Sequence, residues 1–155
     1  MIPHLDVAYA TQYTDCPDPD TMQSWVNAAL TGKKGNYSLT IKVVDESEMT
    51  QLNFQYRQKN KPTNVLSFAC QLPAPLRGDM LGDIAICAPI VVKEANESQK
   101  SVTAHWAHLV IHGVLHLLGH DHEREEDAVI MEALETKILQ DLGFPDPYRM
   151  EISHE

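Results

Sequence analysis

The sequence predicts an α+β fold, a four-stranded mixed sheet packed with four to five helices, one of which ends in a glycine turn. Three observations carry that expectation. Residues 37–44 (YSLTIKVV) alternate apolar and polar side chains and are rich in β-branched residues, the pattern of a half-buried strand. Residues 125–142 place Val129, Ile130, Ala133, Leu134, Ile138 and Leu142 at helical spacing. Strand-like and helix-like segments follow one another without a repeat, a low-complexity tract or a long linker. The 155 residues suit one domain, 1–155.

Taken in order, residues 2–10 alternate well enough for a first strand. Asp18, Asp20 and Thr21 offer caps for a helix through residues 25–30, which Gly32 and Gly35 end. The strand at 37–44 follows, and Asp45 and Ser47 start a short helix through Met49, Leu52 and Tyr56. A polar, basic loop (RQKNKPTN) leads into a buried strand at 65–68 (VLSF). Residues 73–78 form a loop rich in turn residues, and 81–87 (LGDIAIC) form the last strand. Pro89 opens a helix towards Glu97, and a second helix spans about residues 103–118, stopped by Gly119. The last helix runs over about 125–142 and ends at Gly143 and Pro145. The charged run EREED after His122 reads as its solvated first turn, where acidic side chains suit the helix dipole.

Composition excludes several classes. Hydrophobic residues make up 43% and charged residues 22%, so disordered and fibrous chains drop out. The most apolar stretch, 109–118, carries His112 and His116 and falls short of the ~20 apolar residues of a membrane span. No secretory signal is visible at the start. Three scattered cysteines, Cys16, Cys70 and Cys87, suit buried filler in a reducing cytoplasm better than a disulfide framework. A formal net charge of −10 argues against a broad nucleic-acid-coating surface, although a local basic cleft remains open.

The chemistry concentrates in the histidines. His105, His108, His112 and His116 are spaced by three, four and four residues, which puts them on one stripe of a helix. His112 and His116, one turn apart, can bring two imidazoles to one ion. Gly119 lets the chain turn back, and His122 can close the site, giving H-x-x-x-H-x-x-G-x-x-H. One divalent metal, most simply zinc, is therefore expected on His112, His116 and His122. Three ligands leave a fourth position open, as in catalytic zinc. His105 reads as an ordinary core or surface residue. His120 is a rival third ligand, and Asp121 is either a partner for an imidazole or a simple turn residue. The metzincin proteases share this spacing but need Glu directly after the first histidine as general base; here that residue is Gly113.

The run HLVIHGVLHLLGHDH at 108–122 resembles the signature of the YbeY-type bacterial endoribonucleases. Two further segments resemble the same family: LNFQYRQKNKPTNVLSF at 52–68 and LGDIAI at 81–86. The MEALE segment and the DPY ending also fit, so the resemblance covers about residues 37–148. It implies a compact α+β domain with one Zn²⁺ held by His112, His116 and His122. It also implies metal-dependent cleavage of single-stranded RNA in 16S rRNA 3′-end maturation and ribosome quality control. The family's functional arginine falls on Arg57. Spacing alone would give Arg57 only a surface salt bridge; the resemblance instead has its planar fork hold phosphate oxygens.

The partners so implied are single-stranded ribosomal RNA and the small ribosomal subunit or its assembly factors, with no role for membrane or DNA. Asn64 stands where the family pattern has Asp, a mild change if that residue caps the chain and a serious one if it acts in chemistry. Asp83 is a charge among apolar residues, so a partner is expected unless it faces solvent. Phe54 and Tyr56 are candidates for base stacking, with core packing expected for at least one. The general base is left unnamed. The competing expectation is a ribosome-assembly factor with a mainly structural metal.

Overall fold

The alternation at 37–44 does build a strand, and it lies inside the sheet. The computed structural model describes residues 2–121 and 123–148. Four strands occur there: β1 (His4–Ala10), β2 (Ser38–Val44), β3 (Val65–Ala69) and β4 (Met80–Cys87). Their order is β1-β2-β4-β3, with β1, β2 and β4 parallel and β3 antiparallel to β4. The mixed sheet is as the sequence predicts. The helices are α1 (Pro19–Ala29), α2 (Glu46–Arg57), α3 (Ala74–Arg77), α4 (Ala88–Glu97), α5 (Val102–Leu117) and α6 (Glu125–Asp141). Five are of ordinary length. The single turn α3 lies inside the segment that turn residues mark as a loop. None of the described helices is long and apolar enough to cross a membrane.

Period-two alternation splits the sheet into two unlike faces. On one face Ile41 and Val43 of β2 pair in register with Ile84 and Ile86 of β4. They form one core with Met22, Trp25 and Val26 of α1 and Trp106, Val110 and Val114 of α5. On the other face Val44, Leu66, Ala85 and Cys87 pack with Met49 of α2. That second helix covers only one end of its face. The register row Asp6–Thr40–Asp83–Phe68 crosses all four strands, and only its Phe68 end packs under that cover. Asp83 is accordingly exposed, so its position between apolar neighbours costs no desolvation.

Caps follow the sequence signals in part. Asp18 accepts from Thr21 N at 2.7 Å to start α1, with Pro19 at the first helical position. Asp45 precedes α2 without capping it and instead accepts from Thr11 Oγ1 and Gln12 N, tying the end of β1 to the sheet. Core packing does not claim either aromatic of α2: Phe54 and Tyr56 are each 57% exposed, although Tyr56 rests against Phe68 with ring centroids 4.6 Å apart.

At Gly82 the sheet tolerates no side chain. Its φ is +137°, and a Cβ there would lie 2.1 Å from the carbonyl oxygen of Phe68 on the neighbouring strand. Gly119, with φ +103°, meets nothing within 4 Å, so its constraint is conformational only. Gly82→Ala should therefore cost about 3 kcal/mol or more and lower the melting temperature by roughly 6–12 °C. Gly119→Ala should cost about 1–2 kcal/mol. Thermal and urea unfolding of both variants checks the ranking; equal losses would refute the backbone clash.

Candidate metal centre

Ser101 starts α5 by accepting from Ala104 N at 3.2 Å. The face with Trp106, Val110 and Val114 buries in the core, which turns His105, His108, His112 and His116 onto a half-buried stripe. Successive ring centroids lie 6.2, 6.2 and 4.7 Å apart, and the closest pair is His112–His116. The helix ends as the glycine predicts. Gly119 N donates to His116 O at 3.0 Å and His120 N to Leu115 O at 3.0 Å, a Schellman motif with glycine in the positive-φ position. The third expected ligand, His122, lies outside the described residues.

The structure adds a carboxylate that the sequence reading missed. Glu135 of α6 is 0% exposed, and its Oε2 lies 2.5 Å from His112 Nδ1 and 3.6 Å from His108 Nε2. Its other oxygen accepts from the Tyr148 hydroxyl, whose ring stands edge-on to His108 at 5.3 Å. Burial alone would raise the Glu135 pKa, but the hydrogen bonds from His108, His112 and Tyr148, with the charge of His112, prevail and hold it at about 2. The Tyr148 phenol moves the other way, pushed up by burial and by its bond to the carboxylate. The ionised Glu135 carboxylate meets His112 at Nδ1, which fixes the orientation of that imidazole.

Residues after α6 hold this arrangement. Tyr148 N and Thr136 Oγ1 both donate to Asp146 Oδ1, at 2.8 and 3.3 Å, and Lys100 Nζ donates to Pro147 O at 2.6 Å. One sequence signal could have exposed Glu135. It sits four residues after Met131 and four before Leu139, both buried, so a carboxylate lies on the apolar stripe itself. Nothing comparable marks Tyr148.

Two donor sets can be built around His112. His108, His112 and Glu135 have ligand atoms within 4.8 Å of one another and can hold an ion together. The pair His112 and His116, one turn apart, offers imidazole nitrogens suited to zinc and its neighbours. The two sets differ in spacing. Ligands of one tetrahedral ion with ~2.1 Å bonds lie about 3.4 Å apart. The 2.5 Å between His112 and Glu135 is instead a hydrogen-bond distance.

Other expected residues sort as follows. Gly113 is buried, and a Cβ there would lie 2.9 Å from Ile84 Cδ1, so the metzincin base position points into the core and has no room for a glutamate. Its carbonyl accepts from Ser67 Oγ of β3 at 3.2 Å, which ties the histidine helix to the edge strand. Arg57 ends α2, is exposed, and makes no salt bridge among the described residues, against the bland expectation from spacing. The loop after it is tied down by Asn53 Nδ2 donating to Lys61 O at 2.8 Å. Arg57 lines a groove of about 880 Å³ with Tyr56, Ser67 and Phe68.

Asn64 serves as a tether. Its Oδ1 accepts from Val65 N at 2.6 Å and its Nδ2 donates to Glu94 Oε1 at 3.1 Å, which also contacts His105 Nε2 at 2.9 Å. An aspartate there would face the like charge of Glu94. His120 lines a separate cleft with Leu115, Leu134 and Ile138. Asp121 accepts from Glu123 N at 3.0 Å, a turn role.

Known proteins resemble this chain over most of its length. The sequence profile of the family described as Endoribonuclease YbeY matches residues 8–143. Endoribonuclease YbeY of Alcanivorax borkumensis is 47% identical over 151 residues, covering 94% of this chain and 86% of the relative. The solution structure of TM1509 from Thermotoga maritima superposes with a TM-score of 0.57 at 22% identity, over 92% of this chain and 99% of that one, and shares the fold.

Glu135→Gln keeps the shape but removes the charge behind His112. Divalent-metal affinity, read by isothermal titration, should fall about 10- to 100-fold. Because folding lowers the Glu135 pKa from the ordinary 4.5 to about 2, its contribution to stability is full above pH 4.5 and is lost as pH falls through 2. Urea unfolding of the variant should lose that slope over this window; an unchanged acid limb would contradict the assignment.

Proposed function

This chain belongs to the YbeY endoribonuclease family, and on that premise we propose that it is a zinc-dependent, single-strand-specific endoribonuclease spanning residues 1–155, with the metal on His112, His116 and His122. The observation that carries the reading is the setting of His112: a buried carboxylate, Glu135, meets its Nδ1 at 2.5 Å, and the His116 ring stands 4.7 Å away on the same helix stripe. The hydrogen-bonded contact from His112 to Glu135 favours this set over one that includes Glu135 as a ligand.

A divalent metal at such a site supplies Lewis acidity and an activated water for attack on phosphorus. The chain's own residues do the rest. Glu135, with Tyr148 behind it, fixes the His112 ring. Arg57, held at the mouth of the groove by the tethered loop and free of ion pairs among the described residues, grips non-bridging phosphate oxygens through its planar fork. Those oxygens gain charge as the nucleophile approaches, so the contact strengthens towards the transition state. The bond to Gly113 from Ser67, a residue of the groove wall, keeps Arg57's groove registered on the histidine helix.

The substrate we propose is ribosomal RNA, with 16S rRNA 3′-end maturation and ribosome quality control as the cellular role. The small ribosomal subunit or its assembly factors are the partners, in the cytoplasm. These assignments rest on the family.

Purified protein with added Zn²⁺ should cleave a labelled single-stranded RNA, and His116→Ala should abolish the activity. Arg57→Lys should keep the charge, lose the fork and reduce kcat/KM by about 10²–10³-fold. Equal cleavage by wild type and His116→Ala would remove the metal site from the mechanism. Absence of cleavage by all three would favour an assembly factor with a structural metal.

A further inference from the structure

The groove on the uncovered end of the sheet has a chemistry that the metal centre does not explain. Its floor is the row Asp6–Thr40–Asp83–Phe68 across the four strands. Carboxylates occupy the β1 and β4 positions of that row. The β3 edge is different: Phe68 supports Tyr56 at 4.6 Å with an interplanar angle of 52°, and Arg57 follows Tyr56 directly. Tyr56 stays 57% exposed even with Phe68 against it. The next residue after the helix, Gln58, adopts the left-handed conformation (φ 55°), which ends α2 and leaves Tyr56 and Arg57 together at its rim.

From this juxtaposition we infer that Tyr56, backed by Phe68, is a stacking platform for one unpaired base of an RNA strand whose phosphate is held by Arg57. The inference deepens the endoribonuclease reading and rests on it. Every base offers a π-face, so the platform is tolerant of sequence. Bases in a duplex are stacked on one another and offer no free face, so selection for single strands follows from the same ring. Charge sets the path. Asp6 and Asp83 repel phosphates from the floor, so the RNA backbone crosses at the β3 edge. There Ser67 is bonded to Gly113, the residue beside His112. A base seated on Tyr56 thus sets its strand at the β3 edge, whose Ser67 is bonded to the histidine helix, and makes Tyr56 a positioning residue for the reaction.

The test uses an eight-nucleotide RNA carrying 2-aminopurine, whose fluorescence is quenched by stacking. Binding is measured in the His116→Ala background and cleavage in the wild-type background. Tyr56→Leu should weaken binding about 5- to 100-fold and abolish the quenching, the loss of one base–aromatic stack. Tyr56→Phe should restore both, which separates the ring from a folding defect. In cleavage, Tyr56→Leu should raise KM more than it lowers kcat and should narrow the preference for single-stranded over duplex RNA. Undiminished quenching in Tyr56→Leu, or equal weakening in the Leu and Phe variants, overturns the platform. Quenched binding without cleavage by the wild type leaves the platform standing and overturns the nuclease reading.

Discussion

A buried carboxylate holds the working part of this molecule together. Glu135 lies at the α5–α6 contact with no exposure, and an unpaired charge there would cost several kcal/mol. Three groups from different parts of the chain meet that demand: His112 and His108 of α5, and Tyr148 beyond α6. The pairing docks the last helix and the segment after it onto the histidine helix. It also engages Nδ1 of His112, so the same contact that satisfies the core orients an imidazole at the site. Stability and metal chemistry are coupled through one atom pair.

The second organising constraint is the incomplete cover of the sheet. One face is sealed by α1 and α5, and the Ile41–Ile84 and Val43–Ile86 pairs make that seal dry. The other face is sealed only near Met49, because α2 is 12 residues long and ends at Arg57. What remains open is a groove floored by small polar and acidic residues, with aromatic groups and the Arg57 guanidinium at one edge. The antiparallel edge strand β3 serves both halves. Phe68 faces the groove, and Ser67 reaches the backbone of the histidine helix on the other side. An acidic chain can in this way present a local cation to a phosphate.

Much of the fold was legible because the patterns are local. β2, α5 and α6 come directly from alternation, from the histidine stripe and from apolar spacing. Asp18 marks the start of α1 and Gly119 the end of α5 through local backbone chemistry. The turn α3 was not legible, since a four-residue helix has no period to read. For Asp83 the sequence left a buried partner and solvent both open, and it expected core packing for Phe54 or Tyr56; α2 stops short of the first and turns both aromatics outwards.

For the site, the sequence by itself determined the pair His112 and His116, the glycine turn that follows them, and the absence of a glutamate beside them. These are relations within one turn of one helix, where 3.6 residues per turn decides who meets whom. Only the tertiary structure decided that Glu135 backs His112, that Tyr148 closes the pair from 13 residues further on, and that Tyr56 and Arg57 stand at a groove joined to Gly113. Those partners lie on other elements, and their meeting depends on how α6 and α2 pack on α5 and the sheet. Packing is a property of whole faces, and no spacing in a single segment encodes it.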